Sequence, residues 1–324
     1  MTDGVTELIQ KDTIRSEIDA TFPNNNAGPQ SNLQVEHQGY SHSLLGNVLE
    51  ELLRYWIEHT TETVREPPLH YKTNFGNNNR RIKWNKSSQP IWGTNELGES
   101  QGGEPSESRK SARRKRDAFI ETGLNVDQAI QAALWFVGQD NAVDSDLKKE
   151  QNSFESDLID ELQDLFHIIR QQNIFDGEEA VLSPNFGQRR YIIEGHADLL
   201  IDNVLLDIKT TADPTFKNQY WRQLICYYTI ASIDRKLKEI SYGRADFDYP
   251  EIDAIGIYFA RFGEAVTISK ESFIQNREDF ENFRAWLTNK AIEINGHSQK
   301  DYEPVYETLI DPYDFEQQQT LFDF

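Results

Sequence analysis

The chain has 324 residues, of which 37% are hydrophobic, and its formal net charge is −21. No apolar run approaches the about 20 residues of a membrane helix, and the polar, acidic N-terminus predicts no signal peptide. The single cysteine, Cys226, excludes an internal disulfide and a four-cysteine zinc or iron–sulfur site. We therefore expect a cytoplasmic protein with enough apolar residues for one large or two small domains.

Helices are predicted where apolar residues recur at helical spacing. The clearest is 42–60, which follows an N-terminal extension at 1–41. Its apolar stripe consists of Leu45, Val48, Leu49, Leu52 and Trp56. Residues 73–111, rich in Asn, Ser, Gly and Glu, predict a long loop. Further predicted helices are 125–138, capped by Asn125 or Asp127, then 154–172, 216–233 and 269–295.

Strands are predicted from short apolar runs bounded by turn residues. The strongest signal is a pair of runs on either side of Asp202-Asn203, two residues typical of the tight turn of a β-hairpin. With that turn, Asp198 lies opposite Asp207. The other predicted strands are 180–182, 190–194, 252–260 and 265–268, of which the last two form a second hairpin.

The two faces of the predicted hairpin differ in character, because side chains alternate along a strand. The apolar face contains Ala197, Leu199, Ile201, Val204, Leu206 and Ile208. The other face contains His196, Asp198, Asp207 and Lys209. Opposed carboxylates lie about 5 Å apart at Cβ and repel each other unless a cation lies between them. Mg²⁺ suits this place, since it binds one or two carboxylates with water and phosphate. The alternative is a half-exposed hairpin whose charges are in water.

Three short motifs follow one another in this part of the chain: Gly195-His196-Ala197-Asp198, Asp207-Ile208-Lys209, and Gln223 with Tyr227. In order and spacing they resemble the PD-(D/E)XK nuclease superfamily, and more narrowly its RecB-like exonuclease branch. The resemblance covers about residues 180–235 and extends weakly to 42–60 and 252–268. It implies a restriction-endonuclease-like α/β core, in which a central mixed β-sheet is flanked by α-helices, with a helical or loop insertion. The single cysteine excludes the iron–sulfur cluster of several CRISPR-associated relatives.

The resemblance implies roles for the strand residues. Asp198 and Asp207 would hold a divalent metal, Mg²⁺ or Mn²⁺, with the Ile208 carbonyl as a further ligand. Lys209 would position or activate the attacking water, or stabilise charge on the phosphate. Phosphodiester hydrolysis needs these contributions, because a metal lowers the pKa of bound water and an ammonium adds electrostatic stabilisation.

Helix residues complete the implied site. Gln223 and Tyr227 share one helix face, which would look toward the active centre; the alternative is a solvated glutamine and a tyrosine that packs on the sheet. The superfamily has an acidic residue or a histidine on an early helix, and Glu50 fits this position as a metal ligand, with Glu51 as the rival. Many RecB-like members have a histidine at this position, where this chain has glutamate. The resemblance therefore leaves open whether one or two metal ions bind. His196 is a candidate phosphate contact or a structural residue.

The charge distribution bears on the implied DNA substrate. A net charge of −21 is unusual for a DNA-binding protein, because phosphate contacts dominate DNA affinity. Residues 80–86 and 109–116 are nevertheless locally basic, and an acidic chain can carry a basic track. Candidate DNA contacts there are Arg113, Arg114, Lys115 and Arg116, with simple solvation as the alternative.

The end of the chain resembles a second known motif. Gln318, Leu321 and Phe324 have the form Gln-x-x-Leu-x-x-Phe, similar to the peptide through which replication and repair proteins bind the sliding clamp. One aromatic residue is present where the usual motif has two. The resemblance implies a sliding-clamp partner bound as a short helix in a groove. The alternative is a hydrophobic tail that folds back on the domain.

Together these patterns predict a nuclease-like domain at 42–298 with a polar insertion at about 73–150, and an acidic tail at 299–324. The predicted activity is that of a Mg²⁺- or Mn²⁺-dependent deoxyribonuclease in DNA repair, recombination or defence, acting as exonuclease or endonuclease. Two alternatives stay open. One is a non-catalytic DNA-processing scaffold with a nuclease-like fold, and the other is a restriction-type endonuclease.

Overall fold

The computed structural model describes residues 5–24, 26–38, 42–65, 107–139, 156–186, 195–240 and 250–294. Its centre is a mixed six-stranded sheet of order β1-β2-β5-β6-β7-β8, beside a two-stranded sheet of β3 and β4. The strands are Thr63–Arg65 (β1), Glu179–Leu182 (β2), Asn185–Phe186 (β3), Gly195–His196 (β4), Leu199–Ile201 (β5), Val204–Lys209 (β6), Ala254–Phe259 (β7) and Glu264–Ser269 (β8). In this order β1 runs parallel to β2 and β6 parallel to β7, and the other pairs are antiparallel.

Helices cover both faces of the sheet, so the predicted α/β architecture is confirmed at this level. They are Val5–Leu8 (α1), Asp12–Thr21 (α2), His42–Thr60 (α3), Glu107–Thr122 (α4), Val126–Gln139 (α5), Ser156–Ile169 (α6), Asn218–Ile240 (α7), Lys270–Phe273 (α8) and Arg277–Ile294 (α9). Short 3₁₀ turns occur at Asn173–Phe175 and Ala260–Phe262. Within the described residues, no helix is long and apolar enough to cross a membrane.

Alternation along the strands divides the core into two layers. On β6, Leu205 packs with residues of α1, α2, α7 and α9, whereas Leu206 packs with residues of α3, α4, α5 and α6. On β7, Ile257 joins the first layer and Tyr258 the second. The sheet is therefore apolar on both faces near its centre.

The hairpin between β5 and β6 forms with the predicted turn and register. Leu199 pairs with Leu206 and Ile201 with Val204. Asp202 and Asn203 have φ angles of 41° and 69°, the left-handed values that a two-residue hairpin turn of this kind requires. The turn residues were thus a sufficient local signal.

The expectation of one apolar and one charged hairpin face is wrong in part. Leu200 and Leu205 lie on the face of the acids and are almost fully buried, at 1% and 0% exposure. Ala197 also joins this layer, because its N–H donates to the Pro184 carbonyl and the chain has left the β5–β6 ladder there. The alternative of a half-exposed hairpin is therefore excluded, since helices cover both faces.

Several predicted boundaries change. The expected helix at 269–295 divides into α8 and α9, because the Asn276 side chain accepts the Glu278 N–H at 3.0 Å and starts a new helix. The expected loop at 107–111 is the first part of α4. The predicted N-terminal extension contributes Ile14, Ile18 and Phe22 to the core, so its described part is integral to the domain. The predicted strand at 190–194 lies outside the described residues.

Candidate metal and phosphodiester site

The site lies at the C-terminal end of β6, where its neighbour β5 has no further residue to pair. Asp207 and Lys209 alternate with Ile208, so they project to the same face. Asp207 is 2% exposed, and its Oδ2 contacts the Lys209 ammonium. A buried acid and its lysine are therefore presented by one strand, two residues apart.

Asp198 approaches Asp207 and Lys209 from the segment just before β5, across the gap that β5 leaves beside the end of β6. The described ladder ends at Leu199–Leu206, so Asp198 and Asp207 are not a paired rung of it. Instead, Asp198 Oδ2 accepts the Ile208 N–H at 2.6 Å. The N–H and the C=O of one residue point to the same side of a strand, so the Ile208 carbonyl faces this gap as well. Two carboxylates and a backbone carbonyl thus converge.

The electrostatics of this group are unbalanced. Burial, and then the charges of Asp207 and Glu50, raise the pKa of Asp198 well above its usual value. Burial also raises the pKa of Asp207, an effect that Lys209 opposes. Burial disfavours the ammonium form of Lys209, but the charges of Asp207 and Asp198 outweigh it and raise the pKa of the amine. For both acids burial is the largest cause of the raised pKa, and the positive charge of Lys209 acts against it.

Helix α3 brings Glu50 to the group. The helix passes close to the end of β6, since a Cβ placed on Gly46 would lie 3.7 Å from Thr210 Oγ1. The charge of Glu50 raises the pKa of both Asp198 and Asp207, whereas the charge of Glu51 acts on Tyr55. Of the two rival glutamates, Glu50 is the one at the acids.

Helix α7 places Gln223 and Tyr227 against the same group. Gln223 Nε2 donates to the Tyr227 hydroxyl at 2.7 Å. Burial, followed by the charge of Asp207, raises the pKa of Tyr227 above its usual range. The ring also packs on Gly195, where a Cβ would be 3.0 Å from Tyr227 Cδ1. Tyr227 therefore both packs on the sheet and points its hydroxyl region toward the acids, and its partner Gln223 is half-buried.

The predicted hairpin register places His196 opposite Lys209, and the structure corrects this. His196 lies in β4 and pairs with Asn185 of β3, while Lys209 pairs with Phe259 of β7. The short two-stranded sheet has diverted the chain before the main hairpin begins. His196 is exposed.

The basic residues of α4 are only partly available to a ligand. The expectation that Arg116 contacts DNA is corrected, because its side chain is buried, pairs with Asp117 at 2.7 Å and lies over the Phe136 ring. Lys115 Nζ bonds Gln131 Oε1 at 2.6 Å. Arg114 is exposed and Arg113 is half-buried. The predicted clamp-binding residues Gln318, Leu321 and Phe324 lie outside the described part of the chain.

Sequence reasoning missed three neighbours of the site. Arg54 donates to Glu50 and to Ser183 Oγ, and Lys209 Nζ lies 5.2 Å from the centre of the Tyr220 ring. Arg54 carried a usable signal, because residues four apart on a helix are neighbours. Ser183 and Tyr220 carried none, since their position depends on distant segments.

The donor set fits a magnesium-like ion with few protein ligands. Among the described residues, no group of three or more His, Cys, Asp or Glu side chains is placed to hold one ion. Mg²⁺ commonly uses one or two carboxylates and completes its shell with water and phosphate, so Asp198, Asp207 and the Ile208 carbonyl are sufficient. Two carboxylates beside one ammonium also leave a net negative charge there, which favours a cation.

Comparison with known proteins adds no relative: no family model, no curated protein and no solved structure matches this chain. The positions and charges of these side chains are therefore the basis for inferring a function.

Proposed function

We propose that this protein is a Mg²⁺- or Mn²⁺-dependent nuclease that hydrolyses phosphodiester bonds in DNA. One observation carries the proposal: a buried carboxylate, Asp207, and a half-buried one, Asp198, converge beside Lys209 with their pKa values raised. Raised pKa values at a cluster of mixed charges are typical of functional sites. The order of the motifs around this cluster resembles the PD-(D/E)XK nucleases, with a RecB-like restriction-endonuclease-type core as the finer fold.

In this proposal the strand residues bind and neutralise charge. Asp198, Asp207 and the Ile208 carbonyl hold the divalent ion, which when bound lowers the pKa of water and offsets phosphate charge. Lys209 acts as a fixed cation: although burial disfavours its charge, the adjacent acids raise its pKa, so it is protonated at neutral pH before an ion binds. Of the roles open to this lysine, stabilisation of phosphate charge is therefore favoured over removal of a proton.

Helix α7 supplies neutral hydrogen-bonding groups. Tyr227 keeps its hydroxyl proton at neutral pH, because burial and the charge of Asp207 raise its pKa. That hydroxyl accepts a hydrogen bond from Gln223, so its own proton is left to donate toward a phosphate oxygen or an acid. The pair thereby orients one donor at the site.

The experiment is cleavage of labelled linear and circular DNA by the full chain with Mg²⁺ or Mn²⁺. We expect Asp207→Ala and Lys209→Ala to reduce kcat by at least about a hundredfold, as loss of one fixed charge-stabilising group does. The matched control is Asp176→Ala, because Asp176 is exposed and lies outside the site; its kcat should be unchanged.

Undiminished cleavage by Asp207→Ala or Lys209→Ala would refute the assignment. DNA binding without cleavage under either metal would favour a non-catalytic scaffold instead. Cleavage of linear DNA but not of circles would identify an exonuclease, and a defined cut within circles would identify a restriction-type endonuclease. RNA tested beside DNA measures the sugar preference.

A further inference from the structure

Arg54 stands at the edge of the acidic site and is bound on several sides. Its Nη2 lies 2.6 Å from Glu50 Oε1 and also donates to Ser183 Oγ, and its Nη1 lies 3.7 Å from Glu51 Oε2. The side chain is 15% exposed, so it keeps some contact with solvent while these bonds hold it. Arginine four residues after glutamate on a helix is a favourable pairing.

This pairing accounts for the missing third carboxylate. Glu50 lies near Asp198, because Arg54 binds both Glu50 and Ser183 Oγ, and the Ser183 N–H donates to the Asp198 carbonyl at 3.0 Å. Its Oε1 is nevertheless engaged by Arg54, and no three carboxylates of the described residues are placed to hold one ion. The ion pair therefore competes with a metal for Glu50.

Ser183 connects the arginine to the segment between β4 and β5 that carries Asp198. Its N–H donates to the Asp198 carbonyl at 3.0 Å, while its hydroxyl accepts from Arg54. Its φ of 46° is unfavourable for serine, and more so before Pro184, because the residue before proline prefers extended conformations. Such strain persists only where the surroundings enforce it, and it is common at functional sites.

We propose that Arg54 withholds Glu50 from the metal and releases it when a phosphate of the substrate binds the guanidinium. The inference rests on the proposed function and deepens it. Arginine binds phosphate through two parallel hydrogen bonds, so a phosphate can replace the carboxylate as its partner. Glu50 then becomes the third carboxylate on the ion. The exchange leaves every charge paired, and it completes the metal site only when substrate is present.

The test measures Mn²⁺ affinity by calorimetry on the full chain without DNA. We expect Arg54→Met to bind Mn²⁺ about tenfold more tightly than wild type, the usual scale for a residue that acts on a ligand from outside. Arg54→Gln is measured beside it, so that lost packing in the methionine variant does not decide the result. In the Glu50→Gln background the gain should shrink to the small effect of removing one positive charge. Glu51→Gln is the matched control and should keep the gain.

A second arm uses thymidine 5′-monophosphate as the phosphate probe. It should tighten Mn²⁺ binding several-fold more in wild type than in Arg54→Met or Glu50→Gln, because coupling between two sites is reciprocal and in these variants only direct coordination of the phosphate to the ion remains. An Arg54 variant that binds Mn²⁺ no more tightly than wild type, or an equal gain without Glu50, overturns the inference but not the nuclease proposal. Mn²⁺ binding that Asp198→Asn and Asp207→Asn leave unchanged overturns both.

Discussion

Two groups of buried or half-buried charges lie near the ends of adjacent strands, and their charges are balanced differently. Arg261, after β7, and Glu161, on α6, form an ion pair in which both side chains are 0% exposed. Every nitrogen of the guanidinium has a partner, since Arg261 also donates to the Thr210 and Val35 carbonyls and lies 3.1 Å from His37 Nδ1. This group is balanced.

The group of Asp198, Asp207 and Lys209 has more acid than base, and the pKa values of its carboxyls are raised. The comparison teaches that burial alone does not mark a functional charge, because a satisfied pair is structural. A pair of carboxylates whose negative charge is not balanced by nearby cations marks a place where a ligand is expected. The two groups are also linked, since the carbonyl held by Arg261 belongs to Thr210, the residue after Lys209.

The largest effect is expected from breaking the balanced group. Arg261→Met leaves the buried Glu161 without its guanidinium partner and with only the Gln38 N–H and the His37 ring nearby, which should lower the free energy of unfolding by about 3–5 kcal/mol. Urea unfolding measures this. Arg277→Met, at an exposed position, is the control and should change little. The double variant Arg261→Met/Glu161→Leu should recover much of the loss, because no charge remains unpaired. A loss below about 1 kcal/mol in the single variant would contradict the role of the pair.

A smaller effect of opposite sign is expected from the unbalanced group. Asp198→Asn removes a repelled charge and keeps an oxygen for the Ile208 N–H, so it should stabilise the metal-free protein by about 1 kcal/mol at neutral pH. Thermal unfolding measures the gain. Mn²⁺ should raise the Tm of wild type more than that of the variant.

The gain in stability of Asp198→Asn should also depend on pH, which tests its electrostatic cause directly. Because burial and the neighbouring acids raise the pKa of Asp198 in the folded state, the folded protein binds this proton more tightly than the unfolded chain. Stability therefore falls as pH rises from the ordinary aspartate range through the raised pKa. The advantage of asparagine should be absent below this window and complete above it. A gain independent of pH would have another cause.

The last effect concerns Ser183, which connects Arg54 to the segment of Asp198 between β4 and β5. Ser183→Ala and Ser183→Gly both lose the hydroxyl, but only glycine relieves the left-handed φ of 46°. The glycine variant should therefore be more stable than the alanine variant by about 1 kcal/mol in chemical denaturation. Equal stabilities would mean that the backbone is not strained there.

Local chemistry was enough for the parts that depend on neighbours in sequence. Asp202-Asn203 determined the turn and the β5–β6 register, and alternation placed Asp207 and Lys209 on one face. The helix at 42–60 followed from its apolar spacing. Turn conformation and side-chain period are properties of a few adjacent residues, so a pattern in the chain reveals them.

Tertiary packing decided the burial and the charged neighbours of those residues. Helices α1 and α2, from the segment predicted as an extension, help to bury the acid-bearing face of the sheet, and distant segments bury Arg116 and Arg261. The way in which α3 crosses β6 decides that Glu50, rather than Glu51, lies near the acids. It also decides that Arg54 pairs with Glu50 at this place. The loss of water around a charged group depends on contacts between residues far apart in the chain. A local sequence pattern therefore does not predict which charged groups are buried and paired.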